Sequence, residues 1–157
     1  MPDQKPPRLE SGERETVQAL IQYQRDSMVR KVTGVDETAA RRPLVDSGTS
    51  LLWLIRHMAQ AEILWILHRF AGQRIGLPDD RVRPDDTLAA AVELYRHTWA
   101  QVDAVVATAS LEEPCRNPGD APPVNLRWVL MHLLEETARH AGHADIIRES
   151  IDGHTGR

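Results

Sequence analysis

The chain has a single cysteine among its 157 residues, Cys115. No intrachain disulfide can form, and such sparing use of thiols fits a reducing compartment. No unbroken apolar run reaches the roughly 18 residues that mark a membrane-spanning helix, and the opening Met1-Pro2-Asp3-Gln4-Lys5-Pro6-Pro7 has no apolar segment of the signal-peptide kind. Positive charge is not in excess. Nineteen Lys and Arg against 23 Asp and Glu give a net charge of −4, which offers nucleic acid no general attraction. There is no internal repeat, no low-complexity tract beyond the Pro-rich start, and no stretch that reads convincingly as a strand. These absences predict a soluble cytoplasmic protein with neither membrane nor nucleic acid as partner. What is present is ordinary globular composition, 41% apolar and 27% charged, in a chain long enough for one domain with a substantial core.

Four stretches carry helical periodicity. After an extended arm over residues 1–11, Val17, Leu20, Ile21, Gln24, Met28 and Val32 form one stripe, with Ser11 before Glu13 as a start signal and Gly34 as a stop. The second stretch, about Ser47 to Phe70, is apolar on nearly every side and should be the most buried helix. The third is capped by Asp86 or Thr87 and runs to about Ala109, with Leu88, Ala91, Tyr95, Trp99, Val102 and Val106 inward. The fourth begins near Val124 or Asn125 and ends before Gly153. The connections carry Pro43 and Gly48, then Gly76, Pro78 and Pro84, then Pro114, Pro118, Pro122 and Pro123, and each reads as loop. The expectation is an all-α four-helix bundle over residues 12–152 with long inter-helix connections and a short tail over 153–157. Because one core covers only part of an all-apolar second helix, a homodimer is expected as well.

Chemistry concentrates on the last helix. At 100° per residue, His132, Glu136, His140 and His143 fall within an arc of about 80° that overlaps the apolar face of Val129, Leu133, Ala144, Ile147 and Ile151. Unpaired burial of such groups costs several kcal/mol each, on the order given by transfer data. A divalent metal would compensate, since Glu136 and His140 are i, i+4 on the inward side and can chelate one ion. Glu135 lies about 100° away and reads as a surface charge. His57, beside Leu54, Ala61 and Trp65, supplies an inward imidazole on the most buried helix. Taken alone, such a histidine is more often a hydrogen-bonded core residue than a ligand. Together the three give N/O ligation with an open position, the pattern of catalytic sites, whereas closed structural zinc sites have four ligands and favour thiolate. His68 lies about 16 Å further along its helix than His57, His97 falls on the solvent side, and Cys115 sits in a loop. None of these belongs to the set. His132 and His143 either contact a substrate or cofactor or simply sit at the bundle rim. Met58, Trp65, Trp99, Trp128 and Met131 read as core and rim packing.

The segments ER at 13–14, SGTSLLWLIRHMAQAE at 47–62 with Trp65 following, and EETARHAGHADIIRESIDG at 135–153 resemble the DinB/YfiT-like superfamily of metalloenzymes. Within it they are similar to the actinobacterial branch related to the Streptomyces mini-circle protein. The resemblance spans about residues 12–152. It implies a single metal held by a His of the second helix and two ligands four apart on the last, here His57, Glu136 and His140. A Glu/His pair at those positions is found in members similar to mycothiol-dependent maleylpyruvate isomerase. N/O ligation admits Zn, Ni, Fe or Mn, with zinc or nickel the expectation, and the resemblance further implies a low-molecular-weight thiol such as mycothiol as cofactor and S-transfer or isomerisation of a small electrophilic substrate. The metal would lower the thiol pKa. A non-catalytic metal- or small-ligand-binding stress-response protein is the alternative, and a plain structural bundle is a third.

Overall fold

The computed structural model describes residues 4–79 and 81–155. The first three residues of the expected arm and the last two of the tail lie outside them. The helices are α1 (Glu13–Val32), α2 (Glu37–Arg41), α3 (Leu51–Glu62) with a π-helical continuation (Ile63–Phe70), α4 (Leu88–Thr108) and α5 (Leu126–Asp152). No strand occurs among the described residues; Pro114 and Asn125 form one isolated antiparallel bridge. The all-α bundle and its long connections, over 33–50, 71–87 and 109–125, match the sequence expectation.

Local chemistry sets the ends. Ser50, Thr87 and Asn125 each accept a backbone N–H from three residues on, satisfying donors a helix start would leave orphaned. The second helix therefore starts at Leu51, later than Ser47. Ser11 does not cap α1. Gly12 takes that position without a side-chain bond, and the Ser11 hydroxyl pairs with Thr16 at 3.4 Å. The connection after Gly34 is not plain loop, because Asp36 caps the short α2 by accepting from Thr38 and Ala39. Gly153, at φ 72°, closes α5 and donates to the Glu149 carbonyl, a conformation that glycine adopts without steric cost. Arg148 donates to the Lys31 and Thr33 carbonyls at the end of α1, tying α5 to it.

α5 lies along α1, and α3 lies along α4 and also meets α5. The apolar circumference of α3 is absorbed within one chain. Leu51, Leu52, Leu54, Ile55, Met58, Ile66, Leu67 and Phe70 are all buried, so this helix by itself requires no second copy. The core falls into two apolar clusters, one around Met28, Leu54, Ile55 and Tyr95 and the other around Ile21, Ile66, Val102 and Leu133. Polar residues intervene along the chain between them. Arg25, 3% exposed, donates from Nε and Nη2 to the two carboxylate oxygens of Glu62, 1% exposed, at 2.8 and 2.7 Å. The π segment begins at the next residue.

Candidate metal centre

α3 and α5 bring His57, Glu136 and His140 together. One potential ligand atom from each lies within 4.8 Å of the others. Glu136 Oε1 stands 3.1 Å from His140 Nε2 and 3.5 Å from His57 Nε2. Four ligands about 2.1 Å from a tetrahedral ion are about 3.4 Å apart, so these separations suit a shared ion. The side chains of His57, Glu136 and His140 are 23%, 18% and 13% exposed. The cluster is therefore largely desolvated but keeps a route to solvent.

The electrostatics favour the ligand forms. Burial holds the His140 imidazole below its ordinary pKa, helped by His57 and His143, with Glu136 opposing. Burial pushes Glu136 upward, but the charges and hydrogen bonds of His140 and His57 outweigh it, so this carboxyl lies below its ordinary value. A neutral imidazole and an ionised carboxylate are the states that donate lone pairs to a metal. Arg139 Nη1 approaches the other carboxylate oxygen at 3.5 Å, while Glu135 faces solvent and pairs with Arg139.

The surroundings were only partly legible. Trp53, one turn before His57, stacks on its ring with centroids 4.7 Å apart and planes 11° from parallel, and meets His140 edge-on at 6.2 Å. The i, i+4 spacing of Trp53 and His57 was the signal for it. His143 is exposed, with Nδ1 at 3.4 Å from Nδ1 of His140. It also borders a cavity of ≈ 260 Å³ shared with Val45, Ser47, Thr49, Ile146 and Ile147. His132 lies one turn before Glu136, away from the three-atom cluster. Its ring stacks on Trp128 (5.0 Å, 17°) and meets Trp65 edge-on at 4.6 Å.

His68 and His97 lie apart from the cluster. The π segment carries His68 toward the 110–123 loop, where Nε2 pairs with the Asn117 amide at 2.9 Å, and His97 is exposed on α4. Cys115 is buried beside Phe70 and Val124, where desolvation raises its thiol pKa. The arm packs on α1, with Tyr23 donating to the Gln4 carbonyl at 2.8 Å.

A family model described as mycothiol-S-transferase matches residues 16–153. No curated protein matches significantly. Among solved structures, that of a conserved protein from Enterococcus faecalis superposes with a TM-score of 0.65 at 15% identity, covering 92% of this chain and 99% of its own. At that identity the likeness shows the fold alone. No described helix is long and apolar enough to cross a membrane.

Proposed function

Because the chain belongs to the mycothiol S-transferase family, we propose that it joins the sulfur of a low-molecular-weight thiol, mycothiol, to a small electrophile at a divalent-metal centre. The observation that supports this most is the meeting of His57, Glu136 and His140 on a solvent-connected face, with Glu136 Oε1 at 3.5 and 3.1 Å from the two Nε2 atoms and one ligand atom of each residue within 4.8 Å of the others. Three N/O ligands suit zinc or nickel and leave a position for an incoming group. When bound, the ion supplies positive charge that favours ionisation of a thiol, whose free pKa is about 8.5.

The residues have separate tasks. Glu136 contributes one negative charge, and its Oε1 points between the two imidazoles. With a metal on its Nε2 lone pair, His140 would carry its proton on Nδ1, which stands 3.4 Å from Nδ1 of His143 as a potential acceptor. This contact would favour that tautomer and orient the ring, as partners of ligating histidines do. Trp53 stacked on His57 holds the second imidazole in place. The cavity beside His143 presents Ile146, Ile147 and Val45 with two hydroxyls, Ser47 and Thr49, and suits a small, largely apolar electrophile. For an alkyl halide the balance is simple: the carbon–sulfur bond forms, the carbon–halogen bond breaks, halide leaves, and the thiol proton passes to solvent along the open face.

The test is conjugation by zinc- or nickel-loaded protein of mycothiol with a panel of small electrophiles, read as thioether by mass spectrometry. The expected result is metal-dependent thioether formation above the uncatalysed rate, lost in Glu136→Gln. Stoichiometric metal with no thiol binding would instead favour the non-catalytic ligand-binding role.

A further inference from the structure

We infer that Trp65, Trp128 and His132 form a stacking ledge for the sugar and cyclitol rings of the thiol whose sulfur reaches the His57–Glu136–His140 centre, an inference that rests on the transferase assignment above. Trp128 is 45% exposed and its neighbour Met131 50%. Indoles are seldom left this open, and clustered exposed apolar rings mark binding surfaces. Here three rings touch in sequence. Trp65 meets Trp128 at 5.3 Å and 52°, and His132 stacks under Trp128 while turning its edge to Trp65. The ledge is not wholly apolar. The Arg69 guanidinium lies 4.4 Å from the Trp65 centroid, and Glu135 Oε2 lies 4.0 Å from His132 Nδ1. A polyol ring has apolar C–H faces and a rim of hydroxyls. It matches the exposed Trp128 indole, which has the His132 imidazole stacked on it and the Glu135 carboxylate beside that imidazole.

The distances agree with one ligand spanning both places. On α5, His132 and Trp128 precede Glu136 by four and eight residues, about 6 and 12 Å along the axis. Five bonds separate the sulfur of mycothiol from its sugar ring, about 6 Å when extended, and the cyclitol lies beyond. Sulfur at the metal centre thus places the first ring near His132 and the second near Trp128. The cavity beside His143 lies at the opposite end of the α3–α5 seam, so thiol and electrophile approach from different sides.

Binding to zinc-loaded protein is measured by titration calorimetry and tryptophan fluorescence with three probes: mycothiol, N-acetylcysteine as the thiol without rings, and glucosaminyl-inositol as the rings without sulfur. An aromatic electrophile without thiol is the fourth arm. The expected result is mycothiol binding at least tenfold tighter than N-acetylcysteine. Trp128→Ala should remove that advantage and abolish glucosaminyl-inositol binding while leaving N-acetylcysteine affinity unchanged. Trp128→Phe should restore part of it, which separates lost stacking from lost folding. Unchanged mycothiol affinity in Trp128→Ala, Trp128-dependent binding of the aromatic electrophile alone, or no binding of the ring fragment overturns the ledge. A wild-type dimer that Trp128→Ala dissociates overturns it too, by assigning the rings to a second copy. Ring-fragment binding with no thiol binding would leave the ledge standing and remove the transferase assignment. N-acetylcysteine binding alone would do the reverse.

Discussion

Replacing Glu62 with Gln should destabilise the protein by about 3 kcal/mol, the lower end of the range for removing one partner of a buried ion pair. The side chains of Arg25 and Glu62 are 3% and 2% exposed, so neither charge is solvated. Two charge-assisted hydrogen bonds at 2.8 and 2.7 Å join them. A Gln keeps one acceptor but not the charge. The lower end applies because Arg25 retains Asp103 at 2.9 Å, itself half exposed. For a chain of 157 residues this lowers Tm by about 9 °C. Burial already pushes the Glu62 carboxyl upward more than the guanidinium holds it down, so removing both charges should cost less than removing one. Arg25→Met with Glu62→Leu should recover most of the loss. Urea unfolding and calorimetry of the single and double variants decide it. A single variant within about 0.5 kcal/mol of wild type, or a double variant worse than the single, would refute the assignment of this pair as a tightly coupled buried unit.

Two further expectations concern histidines. In metal-free protein, the depressed His140 pKa means the unfolded chain binds more protons between the folded value and about 6.5. Stability should therefore rise with pH up to about 6.5 and gain nothing more from this group above it. His140→Gln should flatten that slope in chelator-treated samples, and an unchanged slope would contradict it. His68→Ala and His97→Ala should leave metal stoichiometry unchanged by elemental analysis. His68→Ala alone should lower stability, by about 1 kcal/mol for its bond to Asn117.

The helical periods of α1, α4 and α5 were legible because each buries one continuous stripe, and the stripe of α4 from Leu88 to Val106 lies inward as its spacing implies. His57, Glu136 and His140 were legible as a set because charged or imidazole groups on an inward face need partners. The π segment was not, since an apolar run such as Ile63–Phe70 reads alike under either winding. Yet it decides that His68 turns to Asn117. The Arg25–Glu62 pair escaped notice because the α1 stripe was read through its apolar members. A lone glutamate in so apolar a helix was the available sign, since a buried carboxylate demands a cation. Trp65 and Trp128 were read as core and rim packing, and His132 as either a substrate or cofactor contact or a rim residue, because wheel positions do not reveal that the three rings touch and that Trp128 stays exposed.

The most direct test is anomalous diffraction from crystals grown with stoichiometric zinc or nickel, recorded at the edge of the added metal. The expected result is one peak per chain, about 2.0–2.2 Å from His57 Nε2, His140 Nε2 and a Glu136 carboxylate oxygen, and absent from crystals of Glu136→Gln grown alike. A peak at His68, His97 or Cys115, or no peak in metal-saturated wild type, would contradict the metal centre on which the proposed chemistry depends.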